Sequence, residues 1–152
     1  MYPPTDRHVY DATITAVIDG DTLVADIDLG FGIWRKGRKI RLLGCNCPEK
    51  KGETLAAGTA ATIFTVEWLL GGNRELQPQY LPALTGSAVN CLKGGRTAIP
   101  RTAVIIRTYI DDTDNFGRVL ARIWRVDPPD IDLATSLIAS NQAVPFMTEG
   151  YR

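Results

Sequence analysis

Asp19-Gly20-Asp21-Thr22 sets two carboxylates on either side of a turn glycine. Carboxylates that close repel each other unless a cation lies between them. Hard divalent ions take oxygen ligands, calcium about six to eight of them. Farther along, Arg41-Leu42-Leu43-Gly44-Cys45-Asn46-Cys47-Pro48-Glu49 adds an amide oxygen at Asn46, a main-chain carbonyl at Cys47, and a carboxylate at Glu49 behind a stiffening proline. A glutamate held near a metal-bound water can orient or deprotonate it. Asp114-Asn115-Phe116-Gly117-Arg118 then brings a second arginine out of a tight turn. Guanidinium groups fork onto phosphate oxygens and stay charged. Arg41 and Arg118 thus suit gripping a phosphodiester and stabilising charge that builds at phosphorus.

Each segment also has a plainer reading. Asp-Gly-Asp is a common polar hairpin turn, and Glu49 is a surface glutamate beside Lys50 and Lys51. Arg41 lies opposite Ile40 and Leu42, facing either solvent or a concave site. Arg118 has Asp111, Asp112 and Asp114 nearby as ordinary ion-pair partners. The order of the three segments together is far more specific than any one of them.

Composition narrows the class. A chain of 152 residues, 45% hydrophobic and 22% charged, suits one globular domain spanning 1–152. Net charge is zero, whereas a protein that coats nucleic acid non-specifically is basic. Basic residues nevertheless cluster at Arg35, Lys36, Arg38, Lys39 and Arg41, so a local phosphate grip is compatible. No apolar run reaches the roughly 18 residues of a membrane span, and the N-terminal segment lacks an apolar signal region. The expectation is a cytoplasmic protein without a membrane partner. Cys45, Cys47 and Cys91, three in all, are too few for a disulfide scaffold or a four-ligand zinc site and read as ordinary thiols. The single histidine, His8, argues against histidine-based nuclease chemistry.

Several elements must position these groups. His8–Val17 alternates, with Tyr10, Ala12, Ile14 and Ala16 on one face. Leu23, Ala25, Ile27 and Leu29 define a second strand, and Lys39–Leu43 a third ended by Pro48. Residues 30–37 read as a loop anchored by Trp34. Thr59–Leu70 reads as a buried helix closed by Gly71-Gly72. Ala103–Ile110 and Arg118–Arg125 make a hairpin. Leu133, Leu137, Ile138 and Asn141 have helical spacing, with Asp130 or Asp132 as N-cap. The pattern predicts a mainly-β α+β domain: a five-stranded, OB-fold-type barrel with two or more packed helices. Trp68 and Trp124 read as core, while Trp34, beside basic residues, is the candidate for stacking on bases.

Asp-Gly-Asp-Thr, then Arg-x-x-Gly-x-Asn-x-Pro-Glu, then Asp-x-Phe-Gly-Arg resembles the staphylococcal nuclease (thermonuclease-like) family. The resemblance runs over about residues 9–70 and 102–147. It implies a calcium-dependent nuclease acting on DNA or RNA with little sequence preference. It implies Asp21 as a direct calcium ligand, Asp19 nearby through water, Arg41 and Arg118 on the scissile phosphate, and Glu49 as general base or water-positioning group. The cation site then comprises Asp21, Asn46 and the Cys47 carbonyl, with calcium, manganese or magnesium as the ion.

Two departures stand out. Asn46 replaces the carboxylate of the family's Asp-Thr-Pro-Glu or Asp-Ala-Pro-Glu, removing a charge from the cation site, and Phe116 stands where tyrosine is frequent. Residues 71–101 form an insertion without a family counterpart. Its apolar residues suit a contact surface for oligomer or scaffold assembly, although a monomer is the simpler expectation. The alternative to catalysis is a nucleic-acid- or protein-binding OB module, which Asn46 favours.

Overall fold

The computed structural model describes residues 7–71, 96–110, 117–126 and 128–147. Among them, seven strands run β1 (Val9–Asp19), β2 (Thr22–Gly30), β3 (Ile33–Leu42), β4 (Gly44–Asn46), β5 (Thr97–Tyr109), β6 (Val119–Arg125) and β7 (Val144–Phe146). Two helices, α1 (Leu55–Leu69) and α2 (Leu133–Ala139), pack beside them. Five strands hydrogen-bond in the closed order β1-β2-β3-β6-β5, and β4 pairs separately with β7. Among the described residues the molecule is therefore mainly β with two α-helices.

The expected alternation in β1 places Ala12 and Ile14 in the interior. A register irregularity between Ile14 and Ala16 then turns the strand, so that Ala16 and Val17 are buried in succession. A bulge of this kind shifts side chains to the other face and bends the strand. The fully buried side chains include Ile14, Val17, Leu23, Ile40, Leu42, Ile106, Ile123 and Trp124 from the ring, with Leu133 and Leu137 from α2. Trp68 is buried as well, and the Arg125 guanidinium stacks over its ring.

The ring closes through a parallel pairing of β3 with β6, Ile40 with Val119, Arg41 with Leu120 and Leu42 with Ala121. Residues 33–39 of β3 lie beyond that contact and pair with β2 alone. They correct the expected loop at 30–37: the turn is only Phe31-Gly32, and Trp34 sits in a strand opposite Asp28. Strand pairing, not hydrophobic alternation, orders this basic segment. The ribbon is braced at Asp26, which accepts hydrogen bonds from the Gly37 amide and from Arg101. The Gly37 amide, then Arg101, holds the Asp26 carboxyl below its ordinary pKa.

α1 begins at Leu55, earlier than Thr59, and ends before Gly71, whose φ of 65° suits a left-handed helix terminus. Asp132 is the N-cap of α2, its side chain accepting from the Thr135 amide, and Arg122 pairs with it at 3.0 Å. β5 starts at Thr97, so the last residues of the expected 71–101 insertion belong to the ring. Residues 72–95 of that insertion, with Cys91, lie outside the described residues, as does Asp114–Phe116.

Candidate functional site

The Asp19-Gly20-Asp21 turn joins β1 to β2 at one end of the ring. A Cβ on Gly20 would lie 2.9 Å from both Ala61 Cβ and Cys47 Sγ, so glycine is what allows α1 and the segment after β4 to close onto the turn. Thr65 of α1 donates its hydroxyl to the Gly20 carbonyl at 2.7 Å. The Leu42 amide donates to the Asp21 carbonyl at 2.9 Å, which fixes the turn against β3.

Asp21 is buried, and its carboxylate is engaged on both oxygens. One accepts from the Cys47 amide at 2.9 Å and faces Arg41 Nη1 at 3.3 Å; the other accepts from the Thr22 hydroxyl at 3.2 Å. Arg41 is buried too, resolving the choice between solvent and interior. Its Nη1 donates to the carbonyls of Leu42 and Cys45 at 2.9 and 3.0 Å, and its Nη2 to Asn46 Oδ1 at 3.1 Å. The guanidinium thus ties the reversal between β3 and β4. Gly44, at φ 99°, makes that reversal and leaves room for Arg122, whose Nη2 would come within 2.8 Å of a Cβ there.

Asp19 lies at the rim, with Lys50 Nζ 3.9 Å from its Oδ1. Burial raises the Asp19 pKa, and the charges of Asp21 and Glu49 add to the rise, while Lys50 and Arg41 oppose it. Asp19, Asp21, Arg41, Glu49 and Lys50 therefore share one electrostatic neighbourhood. Glu49 itself is 68% exposed and pairs with Lys51 at 2.9 Å, the geometry of the plainer reading. Lys50 was unforeseen: its side chain is only 4% exposed.

The placement of Glu49 and Lys50 depends on Gly58 of α1. A Cβ there would meet the Glu49 main-chain carbon and oxygen at 2.6 Å. Alanine is favoured over glycine in a helix by about 1 kcal/mol, but overpacking against rigid main chain costs roughly 1–3 kcal/mol. Gly58→Ala is therefore expected to destabilise, lowering the urea midpoint, whereas a helix governed by propensity alone would be stabilised.

Arg118 immediately precedes β6 and is half-buried. It stands two residues before Leu120, which pairs with Arg41. Cys45 and Cys47 are buried free thiols. Contact with Cys45, burial and the nearby Asp21 charge push the Cys47 thiol far up, so it is inert as a nucleophile. A cleft of about 340 Å³ lies alongside, lined by Asn46, Cys47, Pro48 and Thr54 on one wall and by Asn141–Val144 on the other. The second wall arises from the β4–β7 pairing, which leaves no periodic trace in the sequence.

The cation site can be tested on its donors. Both Asp21 oxygens and Asn46 Oδ1 already accept hydrogen bonds or face a guanidinium, and Asp19 faces an ammonium. Among the described residues no three His, Cys, Asp or Glu side chains group so as to hold a metal ion. This arrangement does not suit the calcium ion that the resemblance implies.

Elsewhere, Leu29, Phe31, Ile33 and Trp34 are all exposed at the tip of the β2–β3 ribbon, next to the exposed Arg35, Lys36 and Lys39. No helix among the described residues is long and apolar enough to cross a membrane. No protein-family model matches the chain, and no curated protein matches it in sequence.

Proposed function

We propose that this chain is an OB-fold-type nuclease domain that hydrolyses phosphodiester bonds of DNA or RNA. The observation that supports it best is the meeting of Asp21 and Arg41 beside Asp19 at one end of the ring, with the exposed Glu49 near enough to act on the charge of Asp19 and Arg118 entering the strand beside Arg41. In this reading Glu49, exposed and negatively charged, orients a water and takes its proton as the water oxygen attacks phosphorus. The bond to the leaving oxygen breaks, and that oxygen leaves as an alcohol on gaining a proton. Arg118 steadies phosphate charge. Arg41, held by Asp21 and three backbone or amide acceptors, positions the β3–β4 reversal and through it the segment that carries Glu49.

The ribbon supports nucleic acid as the substrate. Aromatic side chains stack on unpaired bases irrespective of sequence, and flanking lysines and arginines meet phosphates. Trp34→Ala is expected to weaken single-stranded DNA binding by roughly five- to hundredfold, from ~1–3 kcal/mol per stacked base. Because Trp34 is 42% exposed, its melting temperature should hardly change. Fluorescence anisotropy on a labelled oligonucleotide reads the first and calorimetry the second.

The decisive experiment is incubation with plasmid, single-stranded DNA and RNA, with calcium, manganese, magnesium or a chelator. Chain cleavage in any of these supports hydrolysis; intact nucleic acid in all of them rules it out. A second reading, a binding module without catalysis, is favoured by the engagement of Arg41 and Asn46 with the protein itself. Retained DNA affinity without cleavage would establish that reading in its place.

A further inference from the structure

We propose that Lys50 is the resident cation of the Asp19–Asp21 turn, standing where a divalent ion would otherwise be held, so that this corner takes no calcium. The inference rests on the nuclease reading only in its choice of calcium as the probe.

Two carboxylates face two cations here. Asp21 has Arg41 at 3.3 Å and Asp19 has Lys50 at 3.9 Å. With Glu49, the third carboxylate of this neighbourhood, paired to Lys51, the formal charges cancel, whereas a divalent site needs a surplus of negative oxygen ligands. Adding calcium would bring its two positive charges beside an ammonium and a guanidinium, and like charges held in a buried setting repel strongly. The Lys50 side chain is 96% removed from solvent by its 4% exposure, so it cannot serve as a solvated phosphate-steering lysine. Its neighbour Lys51, 79% exposed, has that freedom instead.

Two further features agree. Gly58 lets α1 press against the Glu49–Lys50 main chain, which fixes the backbone from which Lys50 reaches Asp19. Asn46, a neutral amide, gives its oxygen to Arg41. The amide brings no negative charge and Lys50 brings a positive one, and both act against a bound cation. Neither proximity to the turn nor the burial of Lys50 is visible in the sequence, where Lys50 reads as one of a pair of surface lysines.

The test uses the full chain and calcium alone, without nucleic acid. Isothermal titration and thermal melting of the unaltered protein are expected to show no saturable heat and no rise in melting temperature up to about 10 mM calcium, since a ligand that binds the native state must raise it. Lys50→Met, which keeps an unbranched side chain one atom shorter and removes its charge, is expected to gain a calcium-dependent rise in melting temperature. Asn46 is exposed, so Asn46→Asp should fold even if Lys50→Met does not. With Lys50 retained, Asn46→Asp is expected to remain without calcium binding, and the double variant to bind most tightly. Saturable calcium uptake by the unaltered protein overturns the proposal. So does an Asn46→Asp single variant that binds calcium as well as the double variant. Because no nucleic acid is present, a chain that cleaves nothing still gives a clear answer here, and a chain that binds calcium leaves the cleavage assay to decide hydrolysis.

Discussion

Glu49→Gln is expected to lower phosphodiester cleavage by roughly 10²–10⁴-fold, the range associated with a positioned general base, while the melting temperature stays within error. The split between the two readouts follows from where Glu49 sits. Its side chain is 68% exposed and its one ion pair, with Lys51, is equally open to water. Exposed pairs of this kind contribute between nothing and about 1 kcal/mol, so losing it does not threaten the fold. Glutamine keeps the size and hydrogen-bonding reach of glutamate but cannot accept the proton of an attacking water. A loss of rate without a loss of stability therefore isolates the chemical role. A variant that cleaves at the full rate would remove Glu49 from the mechanism and leave the water to another group. The Glu49 main chain is independently anchored, since its carbonyl accepts from the Thr54 hydroxyl at 2.7 Å, and this keeps the comparison clean.

The second large effect concerns stability. Arg41→Ala is expected to cost about 3–5 kcal/mol, because it leaves the buried Asp21 carboxylate without its cation. The Leu42 and Cys45 carbonyls and the Asn46 amide lose their donor in the same step. For a chain of this length, ~2–4 °C per kcal/mol converts this to a fall of roughly 6–20 °C in melting temperature. Pairing Arg41→Met with Asp21→Asn is expected to restore much of it, since removing both charges is far less costly than removing one. Urea denaturation of the single and double variants measures the coupling. Additive losses would mean that the pair contributes nothing and that Arg41 matters only through its carbonyl contacts.

Much of the frame was legible because it obeys local rules. Alternation marked β1 and β2; β-rich composition and the turn behind it marked β5 from Ala103 onward and β6; Gly71 marked the end of α1; Asp132 capped α2; and Trp68 and Trp124 are core as their surroundings suggested. The first half of β3 was not legible, because Ile33–Lys39 is a run of basic and exposed residues whose extended form comes from pairing with β2. The β4–β7 contact spans three residues on each side, too short for any period to register. At the site, the sequence anticipated that Asp21 and Arg41 would lie near each other but not that they would bind each other. It gave no sign that Lys50 rather than Lys51 is buried, because the helix that packs on this main chain at Gly58 comes later in the chain. Burial of a charge is decided by packing partners distant in the chain, and pattern along the chain does not carry that information.

The junction of β3 with β6 carries only three residue pairs, against the long antiparallel ladders on either side of it. It is the least zipped seam of the ring, and it runs directly past Arg41. A polyanion bridging that arginine's strand and Arg118 would act as a clasp across the seam. Occupancy should then be felt as slower amide exchange at Leu120 and Ala121, so that the grip on a ligand and the closure of the sheet become one cooperative event.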